Sequence, residues 1–272
     1  MTDVKALLAI IAFIVSASFC VAAPYAAIVL NADTGEILYS ENSSKRLHPA
    51  GLTKLATLYI TFEALEAGQI KLDDLVKVSK NAASEPMAAL KLKQGQTITI
   101  RDLIRATAIM GANDASTVLA EQISGSERAF TKKLDQTAKK IGMSQSSFCN
   151  AHGLTEKGHL TTASDIARLM QVLLKDFPDY IHVLGRINGT AAGKYIRHSG
   201  RRLLQEYRGA VAVKTGYTRA AGFNGVMFAE QKNERIITVV FGGKSTSRMA
   251  AQIYKLSDLG FLETPSKQVP TR

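Results

Sequence analysis

Apolar and polar positions along this chain change their period twice. Residues Tyr25 to Asn31 form an apolar run of strand length, Asp33-Thr34-Gly35 supplies turn chemistry, and Glu36 to Ser40 returns as the second arm of a hairpin. From Leu52 onward the apolar residues Leu55, Leu58, Tyr59, Phe62 and Leu65 recur at helical spacing. The chain then reads as mostly helical to about Lys175, with short extended pieces at Val76 to Ser79 and Thr97 to Ile100. Arg101 to Met110 and Asp114 to Ile123 predict two helices broken at Gly111-Ala112-Asn113. Ser126 to Ile141 predicts an amphipathic helix, and Thr162 to Asp165 supplies caps for another. Ala210 to Thr215, Gly222 to Gln231 and Glu234 to Gly243 then read as strands, Lys232-Asn233 as the turn between the last two, and Ser247 to Leu259 as a closing helix. Strands at both ends with helices between them imply an α+β fold. Its antiparallel sheet is built from both chain ends, with flanking helices and an inserted helical subdomain.

The 272 residues suffice for one large domain, and 46% hydrophobic with 21% charged residues is ordinary for a globular protein. At the N-terminus Lys5 precedes an apolar run from Ala6 to Phe19 and then Val21-Ala22-Ala23, the pattern of an export signal cut after Ala22. The expected division is a signal peptide over 1–22, a single domain over 23–263 and a short polar tail over 264–272. No stable membrane anchor is expected once the signal is cut; an uncleaved anchor is the alternative reading. Cys20 would leave with the signal, so Cys149 would have no partner for a disulfide. The net charge of +11 includes a basic run from Arg197 to Arg208 and suits anionic partners. There is no nucleic-acid motif, no row of aromatic residues and no Trp, so nucleic acid is not among the expected partners.

Three short segments carry the candidate chemistry: Gly51-Leu52-Thr53-Lys54 at a helix start, Gly111-Ala112-Asn113 between two helices, and Lys214-Thr215-Gly216 at a strand end. Spacing of i and i+3 places position 51 and Lys54 one turn apart on one helix face, where a hydroxyl would meet an amine able to take its proton. Each segment alone is weak; their order and context together are specific. With Asn31-Ala32-Asp33-Thr34-Gly35, Asn150-Ala151-His152-Gly153-Leu154 and Gly216-Tyr217-Thr218, the chain resembles the serine D-alanyl-D-alanine carboxypeptidases, the low-molecular-mass penicillin-binding proteins, from about Tyr25 to Phe261. The resemblance implies a DD-peptidase/β-lactamase-like fold, no cofactor and no metal. It also implies a periplasmic location, peptidoglycan D-Ala-D-Ala stem peptides as partners, and other cell-wall enzymes as further candidates.

In that family the motifs are Ser-x-x-Lys, Ser-x-Asn and Lys-Thr-Gly. Carried over, Lys54 is the residue that handles the nucleophile's proton, and Asn113 holds substrate. Lys214, Thr215 and Gly216 receive the terminal carboxylate, and the N–H groups of Gly51 and Tyr217 form the oxyanion hole. Gly51 stands at the nucleophile position and Gly111 at the second-motif serine, so both hydroxyls are missing. Two further departures are Glu85-Pro86-Met87-Ala88-Ala89, where many relatives have Pro-Ser-Lys, and Gly200, near which they carry asparagine.

Losing a nucleophilic serine costs about 10⁶ in turnover, roughly 8 kcal/mol of barrier. Thr53 lies about 200° around the helix from position 51 and faces away, and Ser43 and Ser44 sit in the preceding loop. Lys54 and Lys214, facing each other with less polar material between them, are expected to have depressed pKa values. The five histidines read as surface or turn residues without acidic partners, and Asp73-Asp74 as a polar turn. Three functions stay open: a binding protein for stem peptides with impaired catalysis, a working carboxypeptidase using a substitute nucleophile or water, and a basic wall-polymer binder with a vestigial site.

Overall fold

The computed structural model describes residues 23–263. The expected signal peptide with Cys20 and the expected polar tail lie outside the described residues. Strands β1 (Ala26–Asn31) and β2 (Ile37–Glu41) form the first hairpin. Asn31 Oδ1 closes its turn by accepting the N–H groups of Asp33 and Thr34. A short 3₁₀ turn, Ala50–Leu52, opens into helix α1 (Thr53–Glu66). Next come β3 (Leu75–Lys77), α2 (Lys80–Ala83) and β4 (Thr97–Thr99); β3 and β4 fall at the two expected extended pieces, and the structure pairs them antiparallel.

Helix α3 (Ile100–Arg105) runs into a π-helical turn, Ala106–Met110, followed by α4 (Asn113–Ser124), α5 (Glu127–Lys140) and α6 (Ala163–Asp176). Thr99, Ser126 and Thr162 each cap a helix by accepting an N–H three residues on. A 3₁₀ stretch, Pro178–Gly185, leads to the hairpin β5 (Asn188–Ala191) and β6 (Lys194–Arg197), then α7 (Arg201–Glu206). The chain closes with β7 (Ala210–Thr218), β8 (Gly222–Gln231), β9 (Glu234–Gly243) and α8 (Thr246–Glu263).

The main sheet is antiparallel in the order β2-β1-β9-β8-β7, so the first strand pairs with the last. Side chains alternate across it. Ala27, Val29, Met227 and Val240 pack toward α7 and α8, whereas Ile28, Leu30, Phe228 and Val239 join the larger core with α1 and α6. Both faces are covered, which is why β1 is buried along its whole length and reads as an unbroken apolar run. Lys232 and Asn233 both adopt left-handed backbone conformations, φ 50° and 69°, as a two-residue hairpin turn requires. The sequence reading misses β5, β6, α2 and α7: the two strands are short and largely polar, and the helices too short to show a period.

Asn224, fully buried on β8, ties the sheet to the segment that precedes α1. Its Nδ2 donates to the carbonyls of His48 at 3.0 Å and Pro49 at 3.2 Å, and its Oδ1 accepts the Gly242 N–H at 3.0 Å. Asn224→Ala would remove all three bonds, taking this partner from the buried His48 carbonyl and the Gly242 N–H, while the Pro49 carbonyl keeps the Leu52 N–H. Urea unfolding is therefore expected to show a loss of about 2 kcal/mol with an unchanged slope; a loss below about 0.5 kcal/mol would show that this tie does not hold the segment.

Candidate active site

The sheet and the helical insertion bring the three segments to one cleft of about 300 Å³. Gly51 sits in the 3₁₀ turn and Lys54 in the first turn of α1. Gly111 ends the π-helical turn and Asn113 starts α4. Thr215, Gly216 and Tyr217 lie on β7, an edge strand. Seven of the eight expected residues line this cleft. Lys214 is fully buried one layer behind, its Nζ 3.5 Å from where a Cβ on Gly111 would stand. A wider groove of about 880 Å³ between the first hairpin and α6 is remote from these residues. Of its four cations, Lys140 is paired with Glu63 and Arg235 with Asp33 and Glu230, and Arg168 donates to the Ile141 carbonyl and Gln171; Lys175 also lines it.

Lys54 organises the floor. Its Nζ donates to Asn113 Oδ1 at 2.7 Å and to the His152 carbonyl at 2.6 Å, and the side chain is almost wholly buried. Asn113 in turn donates from Nδ2 to the Pro86 carbonyl and from its backbone N–H to that of Ala88, which fastens the 86–88 segment along the rim. Burial lowers the Lys54 pKa to about 7, against the opposing pull of the Glu85 and Asp114 carboxylates. Lys214 donates to the carbonyls of Thr107 and Ala108. Its pKa is held well below the ordinary lysine value, by burial first and by the Lys54 charge second. The depression expected from the sequence is present in both lysines, but desolvation is its main cause, and repulsion by the other lysine contributes only at Lys214.

Backbone crowding marks position 51, the expected nucleophile position. A Cβ on Gly51 would stand 2.8 Å from the Thr215 carbonyl oxygen, and one on Gly216 2.1 Å from the Gly51 nitrogen. The two glycines therefore let α1 and β7 approach backbone to backbone. Ala50, just before, holds a left-handed φ of 49°, a conformation disfavoured for a residue with a Cβ. Gly111 has φ +81°, so a side chain there is strained whatever the space. Thr53 faces away as expected, fully buried with its Oγ1 2.9 Å from His159 Nε2.

Several residues were not picked out by the sequence. Ser199 Oγ accepts from Thr215 Oγ1 at 3.1 Å and lies 3.9 Å from the Cβ position of Gly111, so a hydroxyl does stand beside Gly111. Met87, Met110, Leu154, Phe223 and Met249 give the cleft apolar walls, and the Tyr217 and Phe223 rings lie 4.4 Å apart. Met87, Leu154 and Phe223 fall within segments named for the resemblance or its departures and Ser199 beside Gly200, but none was assigned a role; Met110 and Met249 follow no motif.

The histidine reading needs correction. His152, His159 and His198 are buried, not surface or turn residues, and His152 has acidic partners: Nε2 lies 3.3 Å from Glu85 and 3.6 Å from Glu127. The sequence hides this because the three come from distant segments. Burial pushes the Glu85 carboxyl up, but hydrogen bonds from His152 and Thr117, with the Lys54 charge, outweigh it and leave the pKa below its usual value. The three groups come within 4.8 Å of one another, the spacing of a metal site. However, His152 Nδ1 accepts the Leu154 N–H, so Nε2 carries the proton and points a donor, not a lone pair, at the carboxylates. The cluster is a hydrogen-bonded brace for the carbonyl that holds Lys54. His159 and His198 are kept neutral mainly by burial, each pKa falling to about 3.

A two-faced sheet, an inserted helical lobe and a lysine pair meeting at the sheet edge define the penicillin-binding class of fold. Penicillin-binding protein 5 of Haemophilus influenzae superposes with a TM-score of 0.84 at 26% identity, over 87% of this chain and 70% of that one. Penicillin-binding protein D2 of Listeria monocytogenes, in its cefotaxime-bound form, superposes at 0.80 with 29% identity, over 87% of this chain and 96% of that one. A sequence profile of the D-alanyl-D-alanine carboxypeptidases matches residues 13–245, and the chain belongs to that family. It is 37% identical over 244 residues to the D-alanyl-D-alanine carboxypeptidase DacF of Bacillus subtilis, covering 86% of this chain and 61% of that relative. To DacC of Escherichia coli it is 34% identical over 241 residues, covering 86% and 60%. The chain thus spans about three fifths of the length of these curated relatives. Among the described residues no helix is long and apolar enough to cross a membrane.

Because Lys54 has a folded pKa of about 7 against 10.5 unfolded, the unfolded chain binds the extra proton between those values, and stability must rise with pH across that window. The unfolding free energy of the wild type minus that of Lys54→Met is expected to increase from pH 7 to pH 10. A flat difference would mean that Lys54 keeps its proton.

Proposed function

We propose that this protein is exported to the periplasm and binds the D-Ala-D-Ala ends of peptidoglycan stem peptides without forming an acyl ester on itself. The observation that carries this reading is a formed cleft, with Lys54 held by Asn113 and His152, beside a nucleophile position that has no side chain. Thr215 and Ser199 offer hydroxyls to a terminal carboxylate, with the Lys214 amine behind Gly111. Backbone N–H groups at the start of the turn holding Gly51 lack intrahelical acceptors and are suited to a carbonyl oxygen. A water activated by Lys54 would lack the covalent step that divides the reaction, and Thr53 is turned away.

Incubation with a fluorescent penicillin followed by intact-mass measurement tests this directly. No adduct is expected on the wild type, and stoichiometric labelling of any hydroxyl would overturn the reading. Gly51→Ser with Gly111→Ser is expected to label slowly, since the new Cβ at 51 must displace the Thr215 carbonyl and the serine at 111 must accept a left-handed backbone.

A second reading, attachment to anionic wall polymer, is favoured by one feature. Arg219 just after β7, Lys244 just after β9, and Arg201 and Arg248 are exposed and have no ion-pair partner among the described residues. Binding of that kind would fall steeply between low and physiological salt and would ignore D-Ala-D-Ala competitors.

A further inference from the structure

The sheet side of the cleft is built from segments without acid. Residues 195–204, 207–229 and 235–257, which carry the cleft-lining Ser199, Thr215, Thr218, Thr246 and Met249, contain no Asp or Glu. Four exposed cations stand within two residues of that lining: Arg201 beyond Ser199, Arg219 beyond Thr218, Lys244 ahead of Thr246 and Arg248 ahead of Met249. Strand register brings two of them to the same end of the sheet. Thr218 pairs with Gly222 and Phe223 with Gly243, so the turn holding Arg219 and the exit of β9 at Lys244 lie together there. The Thr215–Ser199 hydrogen bond sets the approach to α7 against β7, and Arg202, donating to Ser247 Oγ, ties α7 to the first turn of α8.

Pairing separates these cations from others on the same elements. Arg202 is matched with Glu206, and Arg235, near the other end of β9, with Asp33 and Glu230. Arg201, Arg219, Lys244 and Arg248 meet no carboxylate among the described residues. Like charges gathered on one side of a cleft repel one another, and they attract an anion arriving at its mouth. On the reading above, the terminal carboxylate of a stem peptide goes to Thr215 and Ser199 inside. The cations outside suit further negative charge on the part of the ligand that stays at the mouth. In a stem peptide that part is the residues ahead of the two D-alanines, whose carboxyl groups are either free or amidated.

We propose that the mouth of the cleft selects stem peptides whose carboxyl groups ahead of the two D-alanines are free, over the same peptides with those groups amidated. This rests on the reading that the cleft receives stem-peptide ends, and it narrows which stems are taken. Exposed ion pairs contribute little each, so two added carboxylates facing four cations are expected to favour the free form about fivefold at low ionic strength. Salt screening shrinks that preference.

Calorimetric titration of the purified protein tests it with four ligands. They are L-Ala-γ-D-Glu-meso-diaminopimelyl-D-Ala-D-Ala, its counterpart amidated at the glutamyl and diaminopimelyl carboxyls, diacetyl-L-Lys-D-Ala-D-Ala, and the free-acid tripeptide lacking both D-alanines. The first is expected to bind about fivefold more tightly than the second, with the gap closing at high salt. In Arg219→Gln with Arg248→Gln, folding checked by circular dichroism, the gap is expected to close while binding of diacetyl-L-Lys-D-Ala-D-Ala is unchanged. Equal binding of the free and amidated pentapeptides to the wild type overturns this inference and leaves the broader reading standing. Binding of the tripeptide as tight as that of the pentapeptide overturns it in favour of a polyanion surface indifferent to the D-Ala-D-Ala end. Failure of all four to bind overturns both. Survival of the gap in the double variant would place the selectivity away from these cations, and the inference would fail.

Discussion

A primary amine buried between an asparagine oxygen and a main-chain carbonyl is the constraint on which this cleft depends. Holding Lys54 there requires α1, the start of α4 and the loop carrying His152 to meet at one point. The meeting is braced on each side. Glu85 and Glu127 grip the His152 ring, Asn113 fastens the rim segment, and Asn224 anchors the approach to Gly51. None of these contacts performs chemistry on a ligand. Together they keep a costly buried amine in place, and they are intact although the hydroxyl it would serve is absent.

The relation to the family is therefore uneven. The scaffold, the two lysines and the asparagine match the family pattern, and Ala50 keeps a strained backbone where a nucleophile would need to be presented. The departures expected from the sequence fall at the surface of the cleft: glycine at 51 and 111, and Met87 and Ala88 on the rim. Core positions are constrained by packing on every side, whereas a cleft residue answers mainly to its ligand. A change of ligand requirement would leave this distribution.

The antiparallel sheet was legible from the sequence because its strands are either buried on both faces, as in β1, or bounded by turn chemistry, as at Lys232-Asn233. Helices with caps and long periods were legible for the same local reasons. The three motif segments could be found because each is continuous in sequence. The His152 brace could not, since Glu85, Glu127 and His152 are brought together only by tertiary packing. Nor could the withdrawal of Lys214 behind Gly111, which depends on carbonyls of the π-helical turn. The hairpin β5–β6 escaped because Asn-Gly-Thr-Ala and Lys-Tyr-Ile-Arg carry too few apolar positions to show a period.

The strand order carries a kinetic consequence. The central strand of the sheet, β9, is the last one synthesised, and it must pair with β1, with Ala26 opposite Phe241. Contacts this distant in sequence close slowly, after a large loss of chain entropy. A nascent chain lacking β9 has no middle to its sheet and cannot assemble early. Its topology thus delays collapse until nearly all of residues 23–263 are available, and the growing chain stays pliant and thread-like until then.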